Sequence, residues 1–261
     1  MYREDILSQA SRLARYKGGT PGVEGEDFSD MEADGAERGV GEVAQAWQEK
    51  RYRASPVRRV YIPKPNGKQR PLGIPTIRDR VIQTAAVLVL APIFETDLQP
   101  EQYAYREGRN AHDAVRHVHR LLNTGYTDVI DADLSGYFDT IPHAELMQSV
   151  ARRISDRHVL ALIKQWLVVP VEEDGRGGRR RTTRAKDGKC GIPQGAPISP
   201  LLSNLYMRRF LLGWKTLGLE KRFQARIVNF ADDFVICCRG TGKPAMAAMR
   251  GMMNRLKLTV N

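Results

Sequence analysis

Two short stretches hold the carboxylates whose spacing could do chemistry. In "DVIDADLSGYFDTI" the residues 129–133 read as a strand, and alternation puts Asp131 and Asp133 on one face, with Asp133 at the C-terminal end. In "RIVNFADDFVICC" two apolar, β-branched runs flank Ala231-Asp232-Asp233, the pattern of two strands turning over at the paired acids. Either stretch alone reads equally well as a turn, because Asp is common there. Placed on adjacent strands of one sheet, Asp133, Asp232 and Asp233 would crowd three like charges into a small space, raising each other's pKa and destabilising the fold. Divalent cations remove that repulsion. Mg²⁺ takes oxygen ligands and binds through a few carboxylates together with substrate phosphates. Two such ions can activate an attacking hydroxyl and stabilise a leaving pyrophosphate.

The remaining candidates are cations, an aromatic and an amide. Lys64 and Arg70 sit in "PKPNGKQRPLGIP", a point charge and a planar fork that both suit phosphate oxygens, although Arg58, Arg59 and Lys68 make a solvated basic arm an equally natural reading. Phe138 follows Asp133 by five positions and reads either as a core anchor or as an exposed ring beside the acids. Gln194 lies in "PQG" before a helix that starts near Ser199, with Gly195 permitting close approach of another backbone. Arg106 suits a salt bridge as well as a nucleic-acid contact. Arg179, Arg180 and Arg181 belong to "GRGGRRRTTRAKDGK", the densest positive charge in the chain, either a solvated hairpin or a phosphate-tracking element. His112, His117 and His119 show no metal-site spacing and read as helix-surface residues, and Cys237 and Cys238 as buried strand residues.

The elements that must position these groups follow from pattern. Helices are expected over 5–16, about 39–50, 76–98 with a kink or break at Pro92, from Asn110 as N-cap, over 156–168, after Ser199, and over 242–256. Pro65-Asn66-Gly67 predicts a hairpin turn between two extended segments, forming a basic arm rather than a core element. "KLTVN" reads as a final short strand. The order is mixed α+β with no internal repeat.

A chain of 261 residues, 42% hydrophobic and 27% charged, can bury a large core in one or two domains. Lys plus Arg number 41 against 30 acids, a formal charge of +11 that favours a polyanionic partner. Three cysteines without CxxC spacing suggest neither a zinc site nor a disulfide framework and fit a reducing cytoplasm. No apolar run is long enough to span a bilayer, and the N-terminus lacks a signal-like apolar stretch, so no membrane partner is expected.

Taken in order, "DLSGYFD" at 133–139, "GIPQGAPISPLLSNLY" at 191–206 and "FADD" at 230–233 resemble the first three palm motifs of reverse transcriptases. "PKPNGKQRPLGIPTIRDRVIQ" at 63–83 and "YREGRNAHDA" at 105–114 resemble the fingers motifs of bacterial group II intron reverse transcriptases and maturases, and the match covers nearly all of 17–261. The resemblance implies an α+β right-hand polymerase with an antiparallel palm sheet backed by helices: fingers over 1–115 and palm over 116–261, part of 150–195 belonging to either. It implies RNA-directed DNA polymerisation with two Mg²⁺ ions, for which Mn²⁺ can substitute, held by Asp133 and Asp232 with Asp233 assisting. Lys64 and Arg70 would hold the triphosphate of a dNTP, Phe138 would lie beneath its ribose and exclude a 2′-hydroxyl, and Gln194 would contact nucleotide and template. Arg106 would touch the template. The expected partners are an RNA template, intron RNA and a DNA primer. Two departures stand out. Phe230 replaces the Tyr of most relatives, and the sequence stops where the family continues into a thumb, so polymerisation is expected to be weak or absent. The alternatives are a non-catalytic intron-RNA-binding module, or a retron, diversity-generating or CRISPR-associated reverse transcriptase.

Overall fold

The computed structural model describes residues 3–29, 36–49, 51–63, 67, 69–175 and 178–261. Helix α1 (Glu4–Lys17) buries Leu7, Ala10 and Ala14 at helical spacing, and α2 (Ala36–Gln48) follows it. Strands β1 (Val57–Pro63) and β2 (Gln69–Ile74) pair antiparallel with Val60 opposite Leu72. Lys64 and the Pro-Asn of the expected turn lie outside the described residues. Helix α3 (Ile77–Glu95) runs through Pro92 instead of breaking there, without the hydrogen bond that an N–H at residue 92 would have given to the Leu88 carbonyl. Helix α4 (Ala111–Asn123) opens with a capping box in which the Asn110 side chain accepts from the Asp113 N–H and the Asp113 carboxylate from the Asn110 N–H, both at 3.1 Å. Then come β3 (Asp128–Asp133), α5 (Tyr137–Thr140), α6 (His143–Ala151) and α7 (Arg157–Leu167). Strands β4 (Val171–Gly175) and β5 (Gly178–Thr182) precede α8 (Arg184–Gly188) and the long α9 (Ser199–Thr216). After α10 (Leu219–Arg222) the chain ends with β6 (Ala225–Phe230), β7 (Asp233–Cys238) and α11 (Lys243–Arg255). The expected final strand is reduced to one antiparallel bridge between Leu134 and Val260.

These elements form two compact units, Met1–Ile93 with Ala151–Ser199, and Phe94–Val150 with Pro200–Asn261. The first contains a sheet of order β2-β1-β4-β5. Here the structure corrects the reading of the β1–β2 hairpin as an arm. Its base is a sheet interior, because β1 pairs parallel with β4 through Val57–Val171 and Arg58–Glu172. Only its far half stands out, with Tyr61 and Ile62 44% and 46% exposed. In the same unit a polar chain runs through the core: Trp166 Nε1 donates to the Tyr52 hydroxyl at 3.1 Å, and that hydroxyl donates to the Asp79 carboxylate. Asp79 also accepts from the Ser55 N–H at 3.0 Å.

The second unit is built on an antiparallel sheet of order β3-β7-β6. One face, with Ile130, Ala132, Phe234, Ile236 and Ile227, is buried, and Phe210 of α9 stacks on Phe234 with ring centroids 5.3 Å apart. On the other face α4 covers only the β6–β7 side, where Ala114 and Leu121 pack with Val228 and Cys237. The β3 side stays open, with Val129 41% exposed and Asp131 and Asp133 accessible. Among the described residues no helix is long and apolar enough to cross a membrane.

Candidate active site

The open sheet face ends in the predicted carboxylates. Register pairs Asp133 with Asp233 directly across β3 and β7, so their side chains share that face, and Asp131 lies two residues back on it. The cross-strand neighbour of Asp133 is therefore Asp233; Asp232 occupies the two-residue loop between Phe230 and Asp233 and is half-buried. Partial burial, then the negative charges of Asp232, Asp133 and Asp131, hold the Asp233 carboxyl above the ordinary Asp range. Among the described residues no Lys or Arg forms an ion pair with Asp133, Asp232 or Asp233. Asp133 is instead fixed by Asn261, whose backbone N–H donates to the Asp133 carbonyl at 2.9 Å and whose side-chain amide donates to Oδ2 at 2.7 Å.

This donor set of hard, anionic oxygens fits Mg²⁺ chemically, and repulsion around Asp233 is what a cation would relieve. In this conformation, among the described residues, no three or more His, Cys, Asp or Glu side chains are gathered into a group that could hold a metal ion. The carboxylates are neighbours that a ligand would have to draw in.

The loop that carries them is unusual. Ala231 has φ +59°, at the first position of a two-residue hairpin loop, where Gly is normally favoured. Beneath it Asn229, 1% exposed on the same buried parity as Ile227, donates its side-chain amide to the Ala231 carbonyl at 2.9 Å and the Asp233 carbonyl at 3.1 Å. Its Oδ1 has no hydrogen-bond partner. Outside the strand, the Asn229 N–H donates to the Glu101 carbonyl at 2.9 Å and its carbonyl accepts from the Tyr103 N–H at 3.0 Å. Sequence reasoning missed both Asn229 and Asn261; a polar residue at a buried position of an otherwise apolar strand was the available signal for the first.

Phe138 is half-buried and packs edge-on against Tyr137, with centroids 5.8 Å apart. The core anchor is Tyr137, which is 2% exposed and donates its hydroxyl to the Ser203 carbonyl at 2.7 Å. That leaves the Phe138 ring partly accessible five residues past Asp133. Arg70 is exposed on β2. Gln194 lies in the same unit, and its carbonyl accepts from the Gly73 N–H of β2 at 2.6 Å. Gly195 has φ +102°, and a Cβ there would sit 3.3 Å from the Gly73 carbonyl, so its missing side chain serves the approach of the loop to β2.

Two sets of candidate cations lie beside protein acids. The Arg106 side chain is 5% exposed; its guanidinium pairs with Glu95 and donates to the carbonyls of Gln99 and Gln102, both at 2.8 Å. Arg179, Arg180 and Arg181 are exposed on β5, opposite Asp174, Glu173 and Glu172 of β4 in register. His117 is half-buried, not a surface residue, with Nδ1 2.9 Å from the Tyr103 hydroxyl; burial holds its pKa below the ordinary His value.

Comparison with known proteins identifies the family. Residues 62–261 match the family model described as "Reverse transcriptase (RNA-dependent DNA polymerase)". The chain is 34% identical to "Protein YkfC" of Escherichia coli K12 over 98% of its own length and 74% of that protein. It is 33% identical to the "Group II intron-encoded protein LtrA" of Lactococcus lactis subsp. cremoris over 68% of its length and 28% of that protein. Among solved structures it resembles a chain of Candida albicans telomerase, with a TM-score of 0.58 and 11% identity, over 84% of this chain and 46% of that one. It thus spans less than a third of LtrA and less than half of the telomerase chain. The α+β fold and the family match agree, and the chain belongs to the reverse transcriptase family, of the group II intron type.

Proposed function

We propose that the chain catalyses RNA-templated DNA synthesis, adding deoxynucleotides to a primer 3′ end, with the second unit acting as palm and the first as fingers. The observation that carries this reading is the Asp133–Asp233 register pair with Asp232 beside it, left without a cationic partner among the described residues. Asp133, Asp232 and Asp233 are the residues that would hold Mg²⁺. Ions bound there supply Lewis-acid stabilisation of charge at the reacting phosphate. Around them, Asn261 holds one oxygen of Asp133 and orients the other, and Phe138 offers a ring face that disfavours a 2′-hydroxyl. Arg70 and Lys64 are assigned to the triphosphate, and Gln194 to nucleotide and template.

Primer extension on an RNA template, with Mg²⁺ or Mn²⁺, tests this. Asp133→Ala and Asp232→Ala should each lower extension at least roughly a hundredfold, the scale seen when a group stabilising transition-state charge is removed, while RNA binding persists. Extension that survives both substitutions would sink the assignment. The similarity to an intron-encoded protein and the +11 charge favour one second reading, an intron-RNA-binding module; RNA binding with no extension by the unaltered chain selects it.

A further inference from the structure

We propose that Asn229 is the positioning residue of the carboxylate turn: its side-chain amide, anchored from outside the sheet, fixes where Asp232 and Asp233 stand relative to Asp133. This rests on the reading of those carboxylates as a metal site.

Strand pairing alone does not fix the turn. The β6–β7 ladder ends at Phe230–Asp233, and Asp232 lies beyond it. Ala231 has a backbone conformation that an alanine resists, so the loop would relax unless held. Asn229 holds it on both sides, at the carbonyl before Asp232 and at that of Asp233 itself. A restraint needs a fixed base, and Asn229 has one, since its own N–H and carbonyl are tied to Glu101 and Tyr103. Gln102 between them is fully buried, its amide donating to the Asn204 carbonyl at 2.9 Å. The unpartnered Oδ1 completes the argument. A residue selected only to fill this buried site would be apolar, whereas Asn leaves an acceptor unmatched and gains only its two donations to the turn. The turn carbonyls are therefore the reason for the amide.

The test uses the full chain with Mn²⁺ as probe, followed by electron paramagnetic resonance, and amide hydrogen exchange as a second reading. Asn229→Asp keeps the volume and removes both donors. It should weaken Mn²⁺ binding roughly ten- to a hundredfold, as loss of an outer partner of metal-ligating groups does. It should also accelerate exchange at 231–233 while β3 and α9 keep their protection. Ala231→Gly added to Asn229→Ala should recover part of the Mn²⁺ affinity, because glycine reaches the loop conformation without a restraint. Unchanged Mn²⁺ affinity and exchange in Asn229→Asp, with Asp232→Asn abolishing binding, overturns the role of Asn229 and leaves the metal site standing. Loss of protection throughout the variant makes Asn229 an ordinary structural residue and also overturns it. An unaltered chain that binds no Mn²⁺ removes the metal site and this inference together.

Discussion

Single residues in each unit have consequences that can be measured without any substrate. The Tyr52 hydroxyl is both the acceptor for Trp166 and the donor to Asp79, so each end of that chain depends on it. Burial holds the Asp79 carboxyl above its usual range, against the lowering effect of the Tyr52 bond. Tyr52→Phe leaves an indole N–H and a carboxylate oxygen short of a partner in the core, a loss of about 2–3 kcal/mol, read as a lower urea midpoint with an unchanged slope. A change near zero would mean that solvent reaches the chain. His117 gives a pH signature. Its pKa is lowered in the fold, so the unfolded chain binds the proton more tightly. The stability it contributes is intact above the unfolded value of 6.5 and is lost as pH falls through the lower folded value. His117→Phe should flatten thermal stability across that acidic window, and an unaltered slope would assign the dependence to other groups.

At the scale of elements, the β4–β5 hairpin behaves differently from its Arg-rich sequence. Each arginine of 179–181 faces an acid across the ladder, and Asp174 also lies 3.5 Å from Arg58 and 3.4 Å from Arg179. Exposed pairs of this kind contribute about 0.2–1 kcal/mol each. At Arg179, which pairs with Asp174 and Glu172, a phosphate must compete with carboxylates, and the acids opposite Arg180 and Arg181 lower the local positive potential. Replacing Glu172, Glu173 and Asp174 with their amides should therefore raise RNA affinity and steepen its salt dependence by up to roughly 0.7 in log–log slope per phosphate newly contacted, in filter binding across a salt series. If affinity does not move, the hairpin lies off the RNA path. The acids were visible in "VEEDGRGGRRRT", but their opposition was not, because it depends on the register in which β4 and β5 pair. The same holds at the carboxylates. Motif and alternation revealed two adjacent strands bearing Asp133 and the acid pair, while a loop of two residues decided that Asp233, not Asp232, stands opposite Asp133. Arg106 shows the complement: its identity suited a salt bridge and a nucleic-acid contact alike, and only a folded chain shows Glu95 and two carbonyls occupying its donors.

Across the whole molecule, local signals and long-range pairings were legible to different degrees. The Asn110 cap, the buried α3 and the strand alternation around Asp133 depend on neighbours in sequence, and each was readable. The parallel β1–β4 pairing joins Val57 to Val171, and the second unit assembles from two separated stretches, which no local pattern encodes. That discontinuity has a consequence in time. Asp133 leaves the ribosome about a hundred residues before its partner Asp233, and 128 residues before Asn261, which clamps it. At roughly 5–20 residues per second of synthesis, β3 waits for several seconds with its pairing edge bare, an edge that any other strand could take. Its exposed acids, Asp128, Asp131 and Asp133, carry the kind of charge that discourages such a pairing, and of these Asp133 is the one also assigned to chemistry.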